Sequence, residues 1–581
     1  DPLASSQWYL FNTAQSSFSQ SGRGGTPRAD MNGFSSNQLT LENYALGMSG
    51  KGIEIAIIDS GLEIAHEDLV ENVIPNGSYN FAFPHNEKSQ RDPTSNAPKS
   101  EGDHGTSVAG IAAARAENGI GIFGVAPNAK LRGFNLLAAG DLNAELASLG
   151  FQSAVENFNG LQNKQVSIFN KSYGTNPNKV LALLSNTEQI HASAVIGAMQ
   201  EGTSQLRDGK GAIYVKAAGN EFSGGSVFDE NYCSEAIAHN VTCYNSNQEP
   251  ENVTPYQIIV GAFNANDKRA SYSNTGSAIW ISGAGGEFGV NQPALMTTDR
   301  SGCDSGYSRD SENIEPNTSF NRGSSDNLEC NYYASFNGTS VATPTLSGAV
   351  ALILEANPNA HWRDVKYILA KSARKLNPNL SPVTMNLNGA SFVIDQAWET
   401  NSAGFNFSNA FGFGAVDIIN AVALAKQRQQ GGVNLPAMQT LLVESDLFST
   451  NNIIANQNAQ GLTKSLAVSN HLTVESVELM IDVSATNPSS DRGNNEIDAA
   501  DYLVEITSPS GTKSIVMTPF NAYLSGHELK ELKVISHAFY GEAIAGNWSV
   551  TITDVDGSTQ NFINHVGEGK LNKFSLTFYG H

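Results

Sequence analysis

Three short segments carry residue types that together could perform acyl transfer. Ile55-Ala56-Ile57-Ile58-Asp59-Ser60-Gly61 ends an aliphatic run on a carboxylate. Asp103-His104-Gly105-Thr106-Ser107-Val108-Ala109-Gly110 opens a stretch of small residues with a histidine. Phe336-Asn337-Gly338-Thr339-Ser340-Val341-Ala342-Thr343-Pro344 sets a serine ahead of a long apolar run. A serine hydroxyl is a poor nucleophile until a base takes its proton. His104, titrating near neutrality, suits that role. Asp59 would fix the tautomer of His104 and steady the imidazolium. Taken singly, each piece is ordinary: an Asp after a strand caps a turn, and a Ser before a helix is an N-cap. The three together, with these flanks, are hard to reach by accident.

The elements around them must bring these groups to one place. Residues 51–430 alternate short aliphatic runs (Ile53–Ile58, Ala212–Ala217, Gln257–Ala262) with helices of small residues (Ser107–Ala114, Ser340–Ala356, Ala415–Lys426). That alternation predicts βαβ units around a parallel sheet, whose strand carboxyl ends are where sites form. Asp59 follows one such strand and Asn220 another. Ser340 heads a buried helix, so its N–H and the helix dipole face any developing oxyanion. The Asn220 amide is the second donor. Pro344 is expected in the first turn of that helix, where a missing N–H costs nothing.

Past about residue 440 the helical period fades. Val474–Val483, Tyr502–Ile506, Trp548–Ile552 and Phe574–Tyr579 alternate between faces, separated by Pro-Ser-Gly and Asp-Gly turns. This predicts an all-β sandwich. The polar stretch Gln427–Gly432 reads as a linker candidate, giving domains at 1–430 and 441–581 with a connection at 431–440.

Composition narrows the function. The formal charge of −22 over 581 residues argues against nucleic-acid binding, which needs cationic surface, and against anionic membranes. No apolar run approaches the roughly 20 residues of a bilayer span. No basic-then-apolar signal opens the chain, so an exported form is expected to have lost its leader. Cys233, Cys243, Cys303 and Cys330 have no metal spacing. Cys233–Cys243 and Cys303–Cys330 is the simplest of three disulfide pairings, with four free buried thiols as the alternative.

The order Asp…His…Ser with these flanks resembles the subtilisin-like serine proteases. The stretches Asp1-Pro2, Gln7-Trp8-Tyr9-Leu10, Leu354–Asn359 and Trp362–Val365 resemble the kexin/furin branch. The tail resembles that branch's P domain through Tyr502–Thr512, Gly546-Asn547-Trp548 and Lys573–Gly580. The likeness spans nearly the whole chain and is bacterial in character. It implies an α/β parallel-sheet catalytic domain followed by a β jelly-roll. The implied activity is that of a secreted, monomeric serine endopeptidase acting on proteins and peptides, with a possible maturation or folding helper.

The resemblance also implies a calcium site. Asp1, Asp68 and Asn118 match its side-chain ligands, and the main-chain oxygens of Arg115, Ile120 and Ile122 would complete an oxygen cage of the size calcium takes. A second calcium of the branch is doubtful, because Thr175-Asn176-Pro177 and Asn274 stand where the branch has acids. The Asp554-x-Asp556-Gly557 turn reads as a plain hairpin turn, with calcium binding as the alternative. Cleavage after basic residues would need carboxylates in the pocket. Ser172, Tyr173 and Gly174 form one wall of the P1 pocket by resemblance. Glu249 or Glu251 is the expected acid on the other, and Glu101 and Asp103 would favour a basic P2. The competing reading is a broad-specificity protease whose β-domain binds carbohydrate or a surface. A catalytically dead binding protein is the remaining alternative, which the complete Asp59, His104, Asn220 and Ser340 set disfavours.

Overall fold

Six short, mostly aliphatic strands stack side by side, each buried on both faces, the mark of a sheet covered by helices on both sides. In a computed structural model they are β1 (Glu54–Ile58), β2 (Lys130–Phe134), β3 (Ile168–Lys171), β4 (Ile213–Ala217), β5 (Gln257–Phe263) and β6 (Ile279–Ala284). The structure describes residues 1–581 except 87, 96–102, 139–140, 175–185, 225–232, 310–317, 487–496, 522–527 and 556–567. All neighbours pair in parallel, in the order β2-β1-β3-β4-β5-β6. The chain turns to one side of β1 for β2 and to the other for β3. The crevice between the carboxyl ends of β1 and β3 is therefore the topological switch point, where open α/β sheets bind ligands.

Helices α1 (His104–Ala113), α2 (Leu142–Ser148), α3 (Asn186–Gln205), α4 (Thr339–Ala356), α5 (Trp362–Ser372) and α6 (Ile418–Gly431) cover the sheet. A hairpin of β7 (Leu295–Thr298) and β8 (Tyr332–Phe336) leads into α4. Among the described residues α4 is the one helix long and apolar enough to cross a membrane, and it is buried in the protein core. Gly105 lets α1 approach the β1 loop: a Cβ there would lie 1.8 Å from the Gly61 carbonyl oxygen.

Two local expectations are corrected. Pro344 sits beyond the first turn of α4, so it strips the Ser340 carbonyl of its helical donor. The Ser172 hydroxyl takes that place at 2.8 Å. The Gln427–Gly431 stretch is helix rather than linker. Asp417 caps α6 by accepting the Asn420 N–H, and Gly432 ends it in the left-handed region at φ 60°. Gln, Arg and Lys are good helix formers, so polarity alone did not stop the helix.

Beyond α6 the period-2 segments form two packed antiparallel sheets. One runs Gln439–Glu444, Gly569–Gly580, Val474–Ala485, Glu528–Ser536; the other runs Leu462–Val468, Gly546–Asp554, Tyr502–Thr507, Lys513–Met517. Their inner faces share one core around Trp548, Phe574 and Phe578. The sandwich is fastened to the α/β domain by buried polar contacts. Arg363 meets Glu475. Asn247 donates to the Val516 and Ile535 carbonyls at 3.0 and 3.2 Å, and Asn401 to those of Ala538 and Tyr540 at 2.9 Å each. Carbohydrate binding by the β-domain would call for exposed aromatic rings, but Phe539 and Tyr540 are buried; Tyr523 lies outside the described residues. The thiols pair as Cys233–Cys243 and Cys303–Cys330, with Cα–Cα separations of 5.4 and 5.0 Å.

Candidate active site

Asp59, Ser172 and Asn220 follow the carboxyl ends of β1, β3 and β4, while His104 and Ser340 head α1 and α4. The sequence-distant groups thus converge on one crevice. His104 Nδ1 lies 2.9 and 3.0 Å from the two oxygens of the fully buried Asp59. That contact sets Nδ1 as the protonated nitrogen and leaves Nε2 as the base. Burial pushes the His104 imidazolium down, but the Asp59 charge and hydrogen bond, with Asp103 behind, outweigh it and hold the group above its usual 6.5.

The Ser340 hydroxyl donates to the Ser172 main-chain oxygen at 3.0 Å rather than to His104. Catalytic hydrogen bonds are often loose without substrate and tighten in the complex. Ser172 is itself held, since Asn170 donates to its hydroxyl at 2.9 Å and Ser347 holds Asn170 at 2.8 Å. Asn220 Oδ1 accepts the Thr339 N–H at 2.8 Å. This fixes the amide so that Nδ2 lies at the Gly338–Ser340 turn, 3.4 Å from where a Gly338 Cβ would stand. With the Ser340 N–H of the first turn, which has no intrahelical acceptor, Nδ2 is placed where an oxyanion-hole donor would stand. Asn220→Ala is expected to lower kcat about 10²–10³-fold with KM little changed, as steady-state kinetics on an ester would show.

The pocket wall brings a feature that the sequence reading missed. Neighbouring strands set Lys171 and Lys216 side by side in register, both with fully buried side chains. Lys171 Nζ lies 2.8 Å from Glu251 and Lys216 Nζ 2.7 Å from Glu249. Neither glutamate is a solvated loop charge. Glu249 Oε2 lies 3.2 Å from the place of a Gly174 Cβ, against the expected wall. Glu251 is turned to Lys171, near Glu145 and His191, which are 2.9 Å apart. Burial raises Glu251, but Lys171 and Lys216 outweigh it and hold the carboxyl below its usual range.

Asp103 is corrected: it is wholly buried and turned inward, accepting the Ser60 hydroxyl and the Ser95 N–H, both at 3.3 Å. Burial pushes it up to about 6. Its burial closes it off from a P2 side chain. Glu101 lies outside the described residues, as do Thr175–Pro177 and the turn from Asp556.

The N-terminus is stitched to the loop after α1 by the Leu3 N–H on the Gly121 carbonyl at 3.0 Å. There Asp68 accepts the Asn118 amide at 2.8 Å and the Ile122 N–H at 2.9 Å. Arg115 lies in the same loop, its N–H on the Asp68 carbonyl at 2.9 Å. The Asn118 oxygen meets the Ile120 N–H at 3.1 Å. Burial pushes the Asp68 carboxyl up to about 7, and Asp1 Oδ1 is buried without a hydrogen-bond donor. An orphaned carboxylate oxygen on Asp1, with Asp68 in the same loop cluster pushed up by burial despite its donors, fits a hard cation. Gly121 at φ +51° is required here, since a Cβ would fall 2.1 Å from Asp68 Oδ2.

Comparison with known proteins accords with this geometry. Residues 50–414 match the Subtilase family and residues 498–578 the Proprotein convertase P-domain. The Aeromonas extracellular serine protease of Aeromonas sobria is 32% identical over 100% of this chain and 91% of its own. Kexin of Saccharomyces cerevisiae is 28% identical over 95% of this chain and 54% of its own. A crystal structure of the Aeromonas sobria serine protease in complex with a chaperone superposes with a TM-score of 0.81 at 31% identity, covering 100% of this chain and 95% of that one.

Proposed function

The chain belongs to the subtilase family and is a serine endopeptidase, and on that premise we propose that it is a secreted, calcium-binding enzyme that cuts after lysine or arginine. In the reaction Ser340 attacks the scissile carbonyl while His104 Nε2 takes its proton. A rotation of the hydroxyl away from the Ser172 oxygen precedes this step. Asp59 holds the imidazolium, and Asn220 Nδ2 with the Ser340 N–H stabilises the oxyanion. His104 then protonates the departing amine. Water attacks the acyl-enzyme by the same route in reverse.

The observation that carries the basic specificity is the Glu249 carboxylate against Gly174. A P1 cation placed there would meet a charge-assisted partner in a dry pocket. The described cluster sets Glu249 on Lys216 and Glu251 on Lys171, with Glu145 on His191. The chain's −22 charge adds steering of cationic substrates. The Lys216–Glu249 pair favours a second reading, in which the acid is already neutralised and an apolar P1 enters.

Asp1, Asp68, Asn118 and the main-chain oxygens of Arg115, Ile120 and Ile122 would hold the calcium ion. When bound it would neutralise two buried carboxylates and tie the N-terminus down. The disulfides and the extracellular relative support secretion. The chaperone complex of the structural neighbour supports a folding helper. The enzyme is read as a monomer.

Fluorogenic peptides with Lys-Arg, Phe or Leu before the bond, assayed with and without EDTA, test this reading. Lys-Arg cleavage should dominate, and Glu249→Gln should cut that preference about tenfold or more. EDTA should lower activity and melting temperature together. Preference for Phe or Leu would establish the apolar reading, and indifference to EDTA would remove the calcium.

A further inference from the structure

The mechanism leaves a set of aromatic rings beside His104 unused. The acyl half of a substrate is placed by Ser172–Gly174, because that segment lies against Ser340. The departing half must leave on the other side of the nucleophile, where β8 runs into the Ser340 turn. There Phe336 stands edge-on to the His104 ring at 5.4 Å. Tyr307 lies 6.2 Å from Phe336 and stacks on Tyr333 at 5.2 Å. Phe336 and Tyr333 are 5% and 8% exposed, whereas Tyr307 is only half-buried. It therefore offers an accessible ring that is linked through Phe336 to the group that protonates the leaving amine.

The segment that carries Tyr307 is held from behind. Asp299, wholly buried after β7, accepts the Ser308 N–H. The Ser308 hydroxyl donates to the Tyr332 carbonyl at 2.6 Å, and Asn327 donates to the same oxygen at 2.8 Å. The Cys303–Cys330 disulfide closes the segment at its base. Gly306, at φ +89°, brings the backbone onto Asp299, where a Cβ would lie 2.8 Å from the carboxylate. The ring is thus presented by a braced scaffold, as a recognition surface requires.

We propose that Tyr307, backed by Phe336 and Tyr333, receives the first side chain after the scissile bond and favours aromatic and large apolar groups there. This rests on the acyl-transfer reading of the site. Ring-on-ring packing of this kind discriminates about three- to tenfold against a small side chain.

Partition of the acyl-enzyme tests the proposal independently of basal rate. An ester substrate loads Ser340, and phenylalanine amide or glycine amide then competes with water. The amine nitrogen attacks the acyl carbonyl and gives its proton to His104. Ser340 departs, taking a proton back from His104, and a peptide bond forms. The enzyme should prefer phenylalanine amide, Tyr307→Ala should lower that preference about three- to tenfold, and Tyr307→Phe should keep it within about twofold. Should Tyr307→Ala fail to fold, Tyr307→Leu, which fills the space, is read by the same criterion. Absence of preference in the wild type, or an unchanged ratio in Tyr307→Ala or Tyr307→Leu, overturns the subsite. A wild type that does not hydrolyse the ester fails the protease reading instead.

Discussion

Replacing Ser340 with alanine is expected to lower kcat about a millionfold, the loss that removal of a triad nucleophile brings, while the fold survives. The side chain makes one hydrogen bond, to the Ser172 oxygen, worth about 0.5–1.5 kcal/mol. The helix turn around it depends on the Ser340 carbonyl and the Ser172 hydroxyl, which the substitution keeps. His104→Ala should cost about as much as Ser340→Ala, and the double variant no more than either, because the two act as one unit. Kinetics on one ester, with a thermal melt of each variant, checks both halves. Independent, additive losses would contradict a triad.

Arg363→Ala is expected to destabilise the protein by about 3–5 kcal/mol, because it strands Glu475 in the interface. Arg363, in the first turn of α5, and Glu475, in the β-sandwich, have side chains 7% and 8% exposed. The guanidinium grips both carboxylate oxygens, with Nε 2.9 Å from one. His581 adds a contact at 2.8 Å. Burial raises Glu475, but Arg363 and His581 outweigh it and hold the group below its usual 4.5. Its folded pKa is depressed, so its contribution is full above 4.5 and is lost as pH falls through the folded value. Arg363→Met with Glu475→Leu should recover much of the loss, since an apolar pair pays no desolvation. Urea unfolding at pH 7 and pH 4 reads all three effects. An Arg363→Ala loss below about 1 kcal/mol would make the pair a surface-type bridge.

The candidate catalytic groups were legible because each sits in a local pattern: a strand end, a helix head, a run of small residues. Asp59, His104, Asn220 and Ser340 needed no knowledge of what lies beside them. Lys171 and Lys216 were not legible. Each reads as an ordinary residue in an apolar strand, and only the parallel pairing of β3 with β4 sets them together opposite Glu249 and Glu251. Asp103 misled for the same reason, since adjacency to His104 in sequence does not say which way a helix-entry side chain turns. Pro344 showed its cost only once Ser172 was seen serving the carbonyl it had freed. The polar Gln427–Gly431 stretch matched a linker by composition but follows helix propensity up to Gly432. The contacts of Asn247 and Asn401 with the sandwich join segments more than a hundred residues apart, beyond any local signal.

The central claim is that Ser340 is the nucleophile and His104, held by Asp59, its base, although the hydroxyl rests on the Ser172 oxygen. The most direct measurement is the rate of phosphonylation by a phosphonyl fluoride as a function of pH, with the modified peptide located by mass. The account expects a single label on Ser340, with a rate that rises as His104 loses its proton at an apparent pKa above 6.5. Labelling at another residue, or a rate on Ser340 indifferent to pH across that range, would contradict it.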